Sequence, residues 1–281
     1  MKYYIIICDN FSDMFVDLAQ QLLYFLSVSG KIASIVDYSD HLVRNITDND
    51  KCIFFGTHFK SKYVPNRSML TVFDTLIHFH NIVPERLLHT NTILHYNMNE
   101  IHKLQEKYEG KLSVYYFKMG YNPYLDLQYK QCNTSHIYDA IFIGNVSPRR
   151  KHIIDSLINK GYNVFYGGYS PKYYTLNDII PLYKRSKVIL AIYTDDRTID
   201  CTLGSRVYPA VSTNNFVITE ESTNKLANSE LSECSFVTSY DTMVNIAEYY
   251  IKHDIERENK KKEFYEYICK TPANVDLELF V

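Results

Sequence analysis

The chain has no tryptophan, no paired-cysteine motif, no excess of charge of either sign and no apolar run of membrane-spanning length. Each absence excludes a class. A membrane helix needs about 18 consecutive apolar residues, and no run here approaches that. The N-terminal run Ile5-Ile6-Ile7-Cys8 stops at Asp9. It is too short for a signal-peptide core and reads as a first strand. The six cysteines (Cys8, Cys52, Cys132, Cys201, Cys234 and Cys269) are scattered, which fits neither a disulfide scaffold nor a zinc site. A formal net charge of -2 argues against a surface coated in basic charge for nucleic acid. There is no internal repeat and no low-complexity tract. With 46% hydrophobic and 22% charged residues over 281 positions, the composition is that of a soluble globular chain with room for two domains. A cytoplasmic location is the expectation.

What is present is an alternation of short apolar runs with helical spacing. Residues 3–8 read as a buried parallel strand, 14–28 as a helix with Phe15, Leu18, Leu22, Phe25 and Leu26 on one side, and Gly30 as its stop. Strands follow at 32–36, 52–56, 92–96 and 112–117, with a helix over 99–108. A polar stretch over 120–135 containing Pro123 reads as a linker. A second series begins at the strand 141–143. Ser147 then caps a helix with Pro148 at its first position and Gly161 at its end. Strands at 163–166, 187–193, 216–219 and 235–237 alternate with helices at 179–186 and 206–212. Residues 241–270 read as one long charged helix or two in tandem. The tail 271–281 has no clear period. The expectation is α/β: two facing Rossmann-like, doubly wound domains with a C-terminal helix. The N-terminal domain would span 1–133, the C-terminal domain 134–270, and a tail 271–281. Ligands in such sheets bind beyond the carboxyl ends of the strands, so the cleft between domains is the expected site.

The stretch from Tyr138 to Glu220 holds the strongest chemical signals. In Phe142-Ile143-Gly144-Asn145-Val146-Ser147-Pro148-Arg149-Arg150-Lys151 a buried strand turns through glycine into a helix that starts with three cations. A helix N-terminus already carries partial positive charge, so each added cation there is unfavourable by roughly 0.3–1 kcal/mol. Phosphate would relieve that cost. Gly144 and Asn145 would let the backbone approach a ligand, and Arg149 or Arg150 would pair with phosphate in bidentate fashion. The same cations also make an ordinary solvated helix start. Arg206, after Gly204-Ser205, is the second candidate for an anion, against the alternative of a surface arginine. Tyr166-Gly167-Gly168 makes either a close ligand approach or a simple turn. Asp195, Asp196 and Asp200 could hold a cation or a sugar hydroxyl, but their spacing matches no metal motif and a solvated loop is favoured. His78-Phe79-His80 lacks a third ligand. No metal site is expected. Tyrosine (26 residues) is so abundant that single tyrosines carry little signal.

Taken in order, these segments resemble the donor domain of GT-B glycosyltransferases of the spore-maturation-protein (CgeB-like) type. The matching residues are Phe142-Ile143-Gly144, Arg149-Arg150, Tyr166-Gly167, Tyr183-Lys184-Arg185-Ser186-Lys187, Ser205-Arg206-Val207-Tyr208 and Phe216-Val217-Ile218-Thr219-Glu220. In the first half, Tyr96-Asn97-Met98-Asn99-Glu100 and Gly120-Tyr121-Asn122-Pro123 resemble family segments. The resemblance implies metal-independent transfer of a sugar from a nucleotide-sugar co-substrate to an unidentified acceptor (glycan, protein or other), with no separate cofactor. The near-neutral charge disfavours nucleic acid. Donor contacts would come from Gly144, Asn145, Arg149, Tyr166, Gly167, Arg206 and Tyr208. Asp13 and His58, after the first and third strands, are the candidate bases for the acceptor proton.

The chain departs from the family pattern at three positions. The ribose-binding glutamate falls at Pro209, its companion carboxylate at Cys201 and a turn glycine at Asn214. These departures support an alternative: a catalytically inactive GT-B-fold binding or assembly subunit.

Overall fold

Apolar runs buried on both faces build the framework of both halves, as parallel sheets flanked by helices require. The computed structural model describes residues 1–7, 12–37, 45–47, 49–55, 68–72, 92–129, 135–168, 174, 176–199 and 202–275. Two compact units emerge: Met1–Met119 with Ala273–Val281, and Gly120–Pro272.

The first unit contains β1 (Tyr3–Ile7), α1 (Ser12–Val28), β2 (Ala33–Asp37), β3 (Lys51–Phe55), β4 (Ser68–Val72), β5 (Thr92–His95), α2 (Met98–Lys107) and β6 (Ser113–Lys118). Its strand order is β12-β6-β5-β4-β3-β1-β2, and β12 (Asn274–Val275) pairs antiparallel with β6 while all other pairs are parallel. Ile6, Cys52, Phe54, Ile93, Ile101, Leu104 and Val114 form one of its core clusters. Burial pushes the Cys52 thiol up to about 12, so it acts as a small apolar side chain. Helix α1 ends at Gly30 as the sequence predicts, with Gly30 N–H bonded to Ser27 O and Lys31 N–H to Leu26 O.

The second unit contains α3 (Pro123–Tyr129), β7 (Tyr138–Ile143), α4 (Pro148–Asn159), β8 (Val164–Gly167), α5 (Leu176–Lys184), β9 (Ser186–Ala191), α6 (Gly204–Ser212), β10 (Val217–Glu220), α7 (Lys225–Ser232), β11 (Phe236–Thr238), α8 (Met243–Lys252) and α9 (Asp254–Ile268). Its five strands are all parallel, in the order β11-β10-β9-β7-β8. This is the doubly wound order in which the first strand lies inside the sheet. The winding reverses between β7 and β9, and the carboxyl ends there form the crevice where such sheets bind ligands.

Three segments differ from the sequence expectation. Pro123 does not break the chain but starts α3: the Asn122 side chain accepts the Tyr124 and Leu125 amides at 3.0 and 3.4 Å, capping a helix whose first position suits proline. Strand β4 lies where no strand was predicted. The tail contributes β12, whose Val275 is buried and whose length is below what periodicity can register. The tandem option holds for 241–270, since His253 separates α8 from α9.

Candidate functional site

The carboxyl ends of β7, β8 and β9 bring the predicted glycines and arginines together. The Gly144 amide donates to Gly167 O at 2.7 Å, so the turns after β7 and β8 are joined. Gly144 has φ 147° and Gly168 φ 153°, a region that side chains rarely adopt. A Cβ on Gly168 would sit 2.6 Å from the Gly144 nitrogen, and a Cβ on Gly144 would sit 2.6 Å from Arg206 Nη1. Arg206 therefore lies directly on the glycine turn, and its Nη1 donates to the Ile143 carbonyl in a very short hydrogen bond.

Helix α4 begins at this turn. Ser147, its N-cap, accepts the Arg150 amide at 3.4 Å and donates its hydroxyl to Thr194 O at 2.7 Å, tying the helix start to the loop after β9. The amides of Asn145 and Val146 have no protein acceptor among the described residues. Such amides at a helix entrance suit an anion.

The three arginines have different surroundings. Arg150 is buried, and its Nε and Nη2 donate to Ile192 O at 2.9 and 2.7 Å while Nη1 donates to Asn145 O at 2.8 Å. It holds the loop shape. Arg149 is gripped by Glu220: Nη1 reaches Oε2 at 2.6 Å and Nη2 makes a very short contact to Oε1. Its Nε donates to Asp196 Oδ1 at 3.1 Å, and its carbon Cζ lies 3.9 Å from the Tyr240 ring centroid. Glu220 is buried and also accepts the Tyr193 amide at 2.9 Å. Burial alone would lower the Arg149 guanidinium, but the Glu220 hydrogen bonds and charge more than offset it and hold it above its ordinary value. Arg206, by contrast, has no carboxylate partner among the described residues. Its guanidinium lies 5.6 Å from the Phe142 ring centroid, and that of Arg150 lies 5.1 Å from the same centroid.

The remaining predicted residues are less concentrated. Tyr166 is exposed beside Lys151, whose Nζ lies 5.8 Å from its ring centroid. Tyr208 is buried on α6. Asn145 is exposed. Asp13 lies in the first turn of α1, directly after the carboxyl end of β1. His58, His78, His80, Asp200 and Cys201 lie outside the described residues. Among the described residues no group of three or more His, Cys, Asp or Glu is placed to hold a metal ion. Asn214 replaces the expected turn glycine and adopts φ 56°, a left-handed conformation that asparagine tolerates. Pro209 falls inside α6, where it is buried. Sequence reasoning missed Glu220 and Tyr240 as partners of Arg149. The strand-ending Thr219-Glu220 was a usable signal, whereas Tyr240 was hidden among many tyrosines.

A doubly wound parallel sheet with a glycine turn at its switch point is a Rossmann-like architecture. Several solved structures similar to this chain are glucosyltransferases by name. An alpha-glucosyltransferase in complex with UDP and a 13-mer DNA has a TM-score of 0.61 at 8% identity, over 95% of this chain and 94% of that one. The T4 phage beta-glucosyltransferase has a TM-score of 0.58 at 16% identity, over 97% and 95%. TarM has a TM-score of 0.51 at 10% identity, over 83% of this chain and 54% of TarM, so the chain spans about half the length of TarM. The chain thus has the GT-B fold of two Rossmann-like units. No protein-family model and no curated protein matches the sequence.

Proposed function

We propose that this chain is a glycosyltransferase that moves a sugar from a nucleotide-sugar donor to an acceptor, with the donor diphosphate at the β7–β9 switch point. One observation carries the reading: Arg206, a cation with no carboxylate partner among the described residues, lies on the Gly144 turn at the entrance of α4. A diphosphate there would meet the guanidinium and the Asn145 and Val146 amides. The same groups would stabilise the charge that develops as the nucleoside diphosphate leaves. The names of the neighbours, which include UDP complexes and a DNA-modifying enzyme, support the donor class and widen the acceptors worth testing. Phe142-Ile143-Gly144 and Ser205-Arg206-Val207-Tyr208 support a resemblance to the spore-maturation type within this reading. The first unit would hold the acceptor, with Asp13 and His58 as the proposed bases, and a cytoplasmic location and the lack of a separate cofactor belong to the same reading.

One observation favours a second reading, a binding module without activity: α6 carries the buried Pro209 where the resemblance places a ribose-binding carboxylate. Thermal unfolding with UDP, GDP, ADP and their glucose conjugates separates the two, together with release of glucose with and without duplex DNA. Saturation at a hundred times Kd adds about 2.7 kcal/mol, a rise of several degrees in Tm. The enzyme reading expects that rise together with glucose release or transfer. A rise without turnover supports the binding module, and no rise with any compound contradicts both.

A further inference from the structure

The missing carboxylate at position 209 raises the question of what in this chain meets the hydroxyls of a bound nucleotide. The loop after β9 offers an answer. It is stitched to the first turn of α4 at two points two residues apart: Thr194 O accepts the Ser147 hydroxyl at 2.7 Å, and Asp196 Oδ1 accepts Arg149 Nε at 3.1 Å. The Asp196 side chain is 88% exposed, and its Oδ2 has no protein partner among the described residues. An exposed aspartate ordinarily samples several rotamers. Here one oxygen accepts from a guanidinium that both Nη atoms tie to the buried Glu220 and that the Tyr240 ring covers on one face. Glu220 in turn is fixed by the Tyr193 amide at 2.9 Å. The result is a chain of contacts, buried at Tyr193–Glu220 and part-buried at Arg149–Glu220, that ends in a carboxylate oxygen open to solvent on the loop that also meets the α4 cap.

We propose that Asp196 is the carboxylate that accepts the ribose hydroxyls of the bound nucleotide, and that Arg149 is its positioning residue rather than a phosphate ligand. This assignment rests on the nucleotide-sugar reading of the site. It accounts for a bidentate Arg149–Glu220 pair at the edge of an anion site, where a free Arg149 would serve phosphate better. It also supplies a hydroxyl acceptor from the β9–α6 loop in place of the one that α6 lacks.

The test uses titration calorimetry of the full chain with UDP, GDP and ADP, each beside its 2′,3′-dideoxy form, and with inorganic pyrophosphate, which has no sugar. Wild type is expected to bind the preferred ribonucleotide tighter than its dideoxy form by about tenfold or more, the worth of a charge-assisted hydrogen bond. Asp196→Asn is expected to lose that preference and to leave pyrophosphate affinity unchanged. Arg149→Lys should show the same loss, and adding Asp196→Asn to it should change nothing further. Equal wild-type affinity for the ribo and dideoxy forms overturns the assignment and leaves the diphosphate site standing. So does an Asp196→Asn variant that still discriminates. A wild-type chain that binds neither nucleotides nor pyrophosphate overturns the nucleotide-sugar reading and this assignment together.

Discussion

At the scale of single residues, two glycines and three arginines decide what the end of β7 can do. Gly144 and Gly168 lie against one another, and both adopt positive φ. Alanine at the two positions should have different consequences. At Gly168 the new methyl would meet the Gly144 backbone nitrogen at 2.6 Å, an atom that cannot move without breaking the joined turns. Backbone strain alone is about 1–3 kcal/mol at such a position, and the contact adds to it. Gly168→Ala is therefore expected to lower Tm by several degrees. At Gly144 the nearest atoms are the guanidinium nitrogens of Arg206, the far end of a flexible side chain. Gly144→Ala should lose less stability and more nucleotide affinity, because the arginine must leave the turn. Thermal unfolding and nucleotide titration on both variants check this; a Gly144→Ala variant with wild-type affinity would contradict the role given to the turn.

At the scale of elements, helices were placed by their caps and strands by their apolar runs. Ser147-Pro148 and Gly161 fixed both ends of α4, and the structure closes it with Gly161 N–H to Ile158 O and Tyr162 N–H to Leu157 O. Residues 120–135 misled because Pro123 marks a turn and a helix start equally well, and only the Asn122 side-chain contacts separate the two. Helix α3 is then fixed by tertiary contacts with no local signature: Asp126 accepts the hydroxyls of Tyr121 at 2.5 Å and Tyr265 at 2.8 Å. The site was legible as a set of cations at helix entrances. Which cation lacks a carboxylate partner among the described residues was not legible, because Glu220 lies 71 residues from Arg149 along the chain.

One tie between elements has a pH signature. Glu248 on α8 accepts Lys160 at 2.6 Å, Lys252 at 2.7 Å and the Tyr162 hydroxyl at 3.1 Å. These bonds, Lys160 first, hold its carboxyl at about 2, below the ordinary 4.5. A depressed carboxyl contributes stability that is fully present above 4.5 and lost as pH falls toward about 2. The carboxyl is partly exposed and its lysine partners are largely solvated, so the contribution is small. Side-chain carboxyl NMR should give a midpoint near 2 that moves up in Lys160→Met; a wild-type midpoint near 4.5 would show that the tie does not form in solution.

At the scale of the whole molecule, the two units carry the same plan with different edges. Each is a parallel sheet whose first strand lies inside, and among the described residues only the first is closed by an antiparallel strand, β12. Sequence periodicity was sufficient for the alternation of strands and helices, because parallel strands buried on both faces read as continuous apolar runs. It was insufficient for β4 and β12, which are too short or too mixed in character. No helix among the described residues is long and apolar enough to cross a membrane. The proposed anion site of the second unit is centred on Arg206. Calorimetric titration of wild type and Arg206→Ala with the nucleoside diphosphate that most stabilises the wild-type chain tests it directly. Arg206→Ala is expected to weaken binding about tenfold or more while the fold is retained. An Arg206→Ala variant that binds as tightly as wild type would contradict it.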